Sequence, residues 1–197
     1  MITVVIPTLD SEHLLVPTLA ALVQGSAEGL VREVLLADGG SVDATSTIAD
    51  AAGCEIVPGP PDEGSRLSAA AERARGEWLL FLDPGAVLDE IWTREVGAFV
   101  GGRHASHDRV ATFRLVIDSE GTISRLREAV AATRFILLGR PRPEQGLLIA
   151  RKFYRAIGGH SPGRGSRDRL LRSIGRGRFT TMLTHITLPG KLVDSVK

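Results

Sequence analysis

Cysteine is almost missing from this chain: Cys54 is the only one in 197 residues. An internal disulfide and a thiolate metal cluster are thereby excluded. Cys54 itself lies in the apolar run Cys-Glu-Ile-Val over 54–57 and reads as a packing residue. No stretch approaches the roughly 18 consecutive apolar residues of a membrane-spanning helix. The opening Met-Ile-Thr-Val-Val-Ile-Pro is strand-like and carries no basic leader region, so the expectation is no signal peptide and a cytoplasmic protein. Ligand-spaced histidines are also lacking: His13, His104, His107 and His160 are scattered, and His185 stands alone late in a β-rich segment.

Net charge is close to absent at +1, but the two halves are strongly biased. Residues 1–100 carry 5 Lys+Arg against 16 Asp+Glu, and the remainder 19 against 7. Within 140–178 there are 11 basic residues and only Glu144 and Asp168 of opposite sign. A segment of this kind suits an anion such as a sugar-nucleotide diphosphate, a lipid head group or nucleic acid, or else forms a solvated basic face. Nucleic acid fits least, because Phe153 and Tyr154 are the segment's only aromatic residues for stacking on bases. Peripheral contact with a membrane stays open.

What is present in quantity is the alternation of an α/β protein, with 43% hydrophobic and 24% charged residues. The β-branched run Ile2–Ile6 predicts a buried parallel strand. Leu14, Leu15, Leu19, Leu22 and Val23 repeat at helical spacing over about 11–24. Strands are expected at 33–38, 54–57 and 78–83, with helices after Asp43 and over about 65–75. Further strands are expected at 110–118, 146–150 and 179–188, with helices at 123–138 and 151–157 and a helical turn at 168–174. The expected organisation is one domain over 1–197, with an acidic half (1–100) and a basic half (101–197).

In such sheets ligands gather beyond the carboxyl ends of the strands. Those ends present Pro7-Thr-Leu-Asp10, Asp38-Gly-Gly-Ser41 and Asp83-Pro-Gly85. Structural rival readings exist for three carboxylates: Asp10 and Asp43 as helix caps, and Asp83 as a turn starter before Pro84.

Taken together, Val4-Val-Ile-Pro-Thr-Leu-Asp10, Leu36-Ala-Asp-Gly-Gly-Ser-Val-Asp43, Arg75-Gly-Glu-Trp-Leu-Leu-Phe-Leu-Asp83 and Gln145-Gly-Leu-Leu-Ile-Ala-Arg-Lys-Phe-Tyr-Arg-Ala-Ile-Gly-Gly159 resemble the ordered motifs of family-2 glycosyltransferases. The nearest variety is the compact bacterial group with an Asp-Gly-Gly-Ser-x-Asp motif. The resemblance implies a GT-A fold, a mainly parallel central sheet flanked by helices, and sugar transfer from a nucleotide-diphosphate donor to an acceptor that the sequence does not name. It places Pro7, Thr8 and Asp10 beside the nucleotide, Asp38 at the base or ribose, and Arg66 near the phosphates, an exposed helix-start arginine being the rival reading of Arg66.

The resemblance also brings two departures. The family's fourth strand normally ends in Asp-x-Asp or His-Ala-Asp, whose last carboxylate binds Mg²⁺ or Mn²⁺, whereas Gly85 stands at that last position here. Asp83 is left as the one metal-side carboxylate, which puts metal dependence in doubt. At the family's Glu-Asp pair this chain has Arg167 and Asp168. Asp168 is then the expected general base, and Arg167 either lowers its basicity, bridges to it, or contacts the diphosphate in place of a metal. The competing reading is a non-catalytic nucleotide-binding or scaffold protein that kept the fold and lost the ion.

Overall fold

The computed structural model describes residues 1–102, 108–118 and 141–190. Among them an eight-stranded sheet runs in the order β3-β2-β1-β4-β7-β6-β8-β5. Its strands are β1 (Ile2–Thr8), β2 (Val31–Asp38), β3 (Glu55–Pro58), β4 (Trp78–Phe81), β5 (Val87–Leu88), β6 (Val110–Asp118), β7 (Leu147–Ala150) and β8 (Phe179–Pro189). Helices are α1 (Glu12–Ala27), α2 (Thr45–Ala51), α3 (Glu63–Arg73), α4 (Trp92–Gly101), α5 (Arg151–Ala156) and α6 (Ser166–Ile174). The helix expected at 123–138 lies outside the described residues.

β1 is buried along its whole length because both of its edges and both of its faces are covered. It pairs in parallel with β2 on one side and β4 on the other, Val5 lying opposite Leu35 and Phe81. Alternate residues feed two cores. Val4, Ile6, Leu36 and Leu80 pack with Leu15, Leu22, Trp92 and Val96 of α1 and α4. Val5, Leu35, Leu79 and Phe81 pack with Leu67 and Ala70 of α3, Tyr154 of α5, and Leu170 and Ile174 of α6. Fully burying one such side chain stabilises by about 1.5–3 kcal/mol, so the two layers hold α3 and α6 firmly over one face.

The order of the strands positions the site. The chain leaves β1 outward through β2 and β3, then returns to lay β4 against β1's free edge. The crevice between the carboxyl ends of β1 and β4 is therefore the switch point at which such sheets bind ligands. Beyond β4 the pairing turns antiparallel, β4 to β7 and β7 to β6, while β6 and β8 run parallel.

Element ends depart from the sequence expectation where side chains take over the backbone groups. α3 begins at Glu63 because Asp62 accepts from the Ser65 N–H (2.8 Å) and the Ser65 hydroxyl (2.6 Å). Asp43 serves two helices, accepting from Thr45 N (2.9 Å) and from Glu12 N (2.9 Å). Asp10 caps nothing: it sits at φ 47°, the one non-glycine residue with positive φ among those described, and accepts from Val42 N at 2.8 Å.

Candidate active site

Beyond the ends of β1 and β4 lies a cleft of about 760 Å³. Six of the eight residues singled out from the sequence line it: Pro7, Asp10, Arg66, Asp83, Arg167 and Asp168. Thr8 and Asp38 do not. They lie together behind the cleft wall, where the buried Thr8 hydroxyl donates to Asp38 Oδ1 at 2.9 Å. Asp38 Oδ1 also accepts from Ser41 Oγ (2.5 Å), and Oδ2 accepts from Gly40 N and Ser41 N (2.9 Å each). Burial works against ionisation of Asp38, but these donors outweigh it and hold its carboxyl below the ordinary range. The Asp-Gly-Gly-Ser motif is thus a turn closed by its own aspartate.

The far wall comes from the second half of the chain and is tied to α3. Asp62 Oδ1 accepts from Gly163 N at 2.7 Å, fixing the loop before α6 against the start of α3. Gly64 makes the approach close: a Cβ there would lie 2.2 Å from the Ser161 carbonyl and 2.5 Å from Ser166 Oγ. The turn at Pro143–Gln145 is clamped by Gln145, whose Oε1 accepts from Arg142 N (2.8 Å) and whose amide donates to the Phe113 carbonyl (2.9 Å). That clamp puts Glu144 on the cleft wall.

Arg167 does not bridge to its neighbour Asp168. Its guanidinium forks onto Asp83, Nη1 donating to Oδ2 at 3.1 Å and Nη2 to Oδ1, while Nε lies 2.8 Å from Glu63. Burial opposes the charge of Arg167, yet Asp83 foremost, then Glu63 and Glu144, more than compensate and raise its proton affinity. Asp168 lines the cleft with no partner for its carboxylate among the described residues. Beneath Asp83 and Arg167, His160 is 5% exposed, and its Nδ1 lies 2.9 Å from the Tyr154 hydroxyl. Burial first, then the charge of Arg167, push His160 down to about 3, so the imidazole is neutral at pH 7.

Two buried polar atoms on the cleft wall lack any partner, Arg66 Nε and Ser166 Oγ, while Glu144 Oε2 accepts no hydrogen bond but is ion-paired with Arg142 Nε at 3.4 Å. Arg66 is 6% exposed, not the solvated helix-start arginine of the rival reading, and donates from Nη1 to the Pro61 carbonyl at 2.7 Å. Native interiors leave few such groups unmatched, and here they gather around one cavity.

A divalent ion does not fit the residues as they stand. Both Asp83 oxygens are held by Arg167. Gly85, in place of the second carboxylate, has φ 89°, a backbone conformation that disfavours any side chain there. Among the described residues no group of three or more His, Cys, Asp or Glu side chains could hold a metal. His185, the late histidine, pairs instead with Asp89 at 2.8 Å and does not line the cleft; His104 and His107 lie outside the described residues.

The sequence model of glycosyl transferase family 2 matches residues 3–142, which is most of the chain. The chain belongs to glycosyl transferase family 2. No curated protein sequence matches it. Among solved structures it is similar to glucosyl-3-phosphoglycerate synthase from Mycobacterium tuberculosis, with a TM-score of 0.69 and 21% identity over 100% of this chain and 75% of that one. That structure holds Mn²⁺, UDP-glucose and phosphoglyceric acid. It is also similar to S. aureus TarS 1–349, with a TM-score of 0.72 and 15% identity over 95% of this chain and 60% of that one. The family-2 chain accordingly has the GT-A fold. The family match ends at 142, so the wall bearing Arg167 and Asp168 is shared with these structures through fold alone. No helix among the described residues is long and apolar enough to cross a membrane.

Sequence reasoning passed over Glu63, Glu144 and the Tyr154–His160 pair. Asp62-x-x-Ser65 ahead of an alanine-rich helix is a legible capping signal that would have moved α3's start to Glu63. Nothing local marks Glu144 or His160, whose roles depend on which strands pack beside them.

Proposed function

We propose that this family-2 chain transfers a sugar from a nucleotide-diphosphate donor bound in the β1–β4 cleft. The observation that carries this reading is the convergence, on one cavity at the switch point, of the motif residues and of two buried polar groups with no partner, Arg66 Nε and Ser166 Oγ. Asp10 marks the nucleoside end, held from behind through Val42 N by the turn that Asp38 and Thr8 close. Arg66, with its Nε unmatched, and Arg167 face the phosphates. Asp168, an unpaired carboxylate on the opposite wall, takes the proton of the acceptor hydroxyl as it attacks the anomeric carbon, and the nucleoside diphosphate leaves. Donor binding in this reading needs little from Mg²⁺ or Mn²⁺.

The decisive experiment is release of nucleoside diphosphate from a panel of UDP- and GDP-sugars by the purified protein, with Asp168→Asn beside it. General-base loss lowers turnover by about 10²–10⁴-fold while donor affinity stays within about twofold. Donor binding without turnover in wild type and variant alike would establish the scaffold reading instead. No donor binding at all would refute the site.

A further inference from the structure

We propose that the Arg167 guanidinium is a resident cation that occupies the place of a divalent ion at Asp83. The proposal rests on reading Asp83 as the metal-side carboxylate of a glycosyltransferase cleft. Three features support it. First, both oxygens of Asp83 receive the guanidinium fork, leaving neither for an ion. Second, the same cation is approached from its Nε side by Glu63 at 2.8 Å and felt electrostatically by Glu144, so carboxylates from α3, β4's end and the turn before β7 converge on one positive centre. A hard ion gathers oxygen ligands in a similar way. Third, Gly85 removes the carboxylate that would otherwise compete with the arginine, and its φ of 89° keeps side chains from that point.

The charge on the cleft makes Arg167 decisive. Six carboxylates line it, those of Asp10, Asp62, Glu63, Asp83, Glu144 and Asp168, against the guanidiniums of Arg66, Arg164 and Arg167. Such a wall repels a diphosphate unless a cation sits among the carboxylates, and Arg167 is the cation anchored there. A guanidinium in this position delivers a fixed planar charge with N–H groups beyond the two that Asp83 takes. It also dispenses with ion uptake and its dependence on metal supply.

Deleting the guanidinium should uncover a latent ion site, and this can be read with Mn²⁺ alone. In the full chain, titrated with Mn²⁺ and followed by the electron paramagnetic resonance signal of the free ion, wild type should leave millimolar Mn²⁺ unbound. Arg167→Ala should bind it at least tenfold more tightly, and adding Asp83→Asn should abolish the gain. Arg167→Gln, which keeps the side-chain stem, guards against loss of folding and should behave like Arg167→Ala. Wild-type binding as tight as that of Arg167→Ala would overturn the proposal. So would a folded Arg167→Ala or Arg167→Gln that gains no Mn²⁺ affinity. No nucleotide enters the test, so its failure leaves the donor reading standing, and failure of the donor reading leaves this result intact.

Discussion

His160 gives the sharpest thermodynamic prediction, because its environment fixes its protonation state. The ring is 5% exposed, its edge meets Phe81 with centroids 4.8 Å apart, and the Tyr154 hydroxyl lies 2.9 Å from both its Nδ1 and its backbone nitrogen. Folding pushes it down to about 3 from the ordinary value of 6.5. Below pH 6.5 the unfolded chain therefore takes up a proton that the folded chain refuses, and stability falls as pH falls until the folded imidazole titrates near 3. The slope is about 1.4 kcal/mol per pH unit, so going from pH 7.5 to pH 5 removes about 2 kcal/mol through this residue. For a chain of this size that is about 4–8 °C in Tm. Urea unfolding at the two pH values, for wild type and His160→Gln, isolates the contribution, since other titrating groups are common to both. The expected result is a pH-dependent loss about 2 kcal/mol smaller in the variant. Equal losses in the two proteins would show that His160 is not held neutral beneath the cleft.

Gly64→Ala places a Cβ against the Ser161 carbonyl and Ser166 Oγ. It should destabilise by about 1–3 kcal/mol in urea titration and weaken donor binding, because α6 is pushed away from α3; a neutral variant would mean the contact yields freely. Asp38→Ala strands the buried Thr8 hydroxyl, the Ser41 hydroxyl and two backbone N–H groups. Its expected stability loss of about 1–3 kcal/mol should come with loss of the thermal shift produced by a nucleoside diphosphate.

The strands that carry the cleft were readable from residue type alone. A run such as Ile2-Thr-Val-Val-Ile suits only a strand covered on both faces, and Trp78-Leu-Leu-Phe81 another. The carboxylates at their ends followed from the same reading. Partnerships across the fold did not. Arg167 is 84 positions from Asp83, and no local pattern pairs them rather than Arg167 with adjacent Asp168. Their contact exists because Asp62 and Gly64 draw the loop before α6 onto α3, a consequence of packing. Likewise the basic count of 140–178 suggested a cationic surface, yet the part of it facing the cleft is outweighed by carboxylates from the first half.

The measurement closest to the central claim is a calorimetric titration of UDP and GDP into the wild-type protein, first in EDTA and then with excess Mn²⁺. The account predicts saturable binding of at least one nucleoside diphosphate in EDTA, with affinity changing by less than about tenfold, or 1.4 kcal/mol, when Mn²⁺ is added. Absence of binding in both conditions would contradict the cleft as a donor site, and binding that appears only with Mn²⁺ would contradict the role given to Arg167.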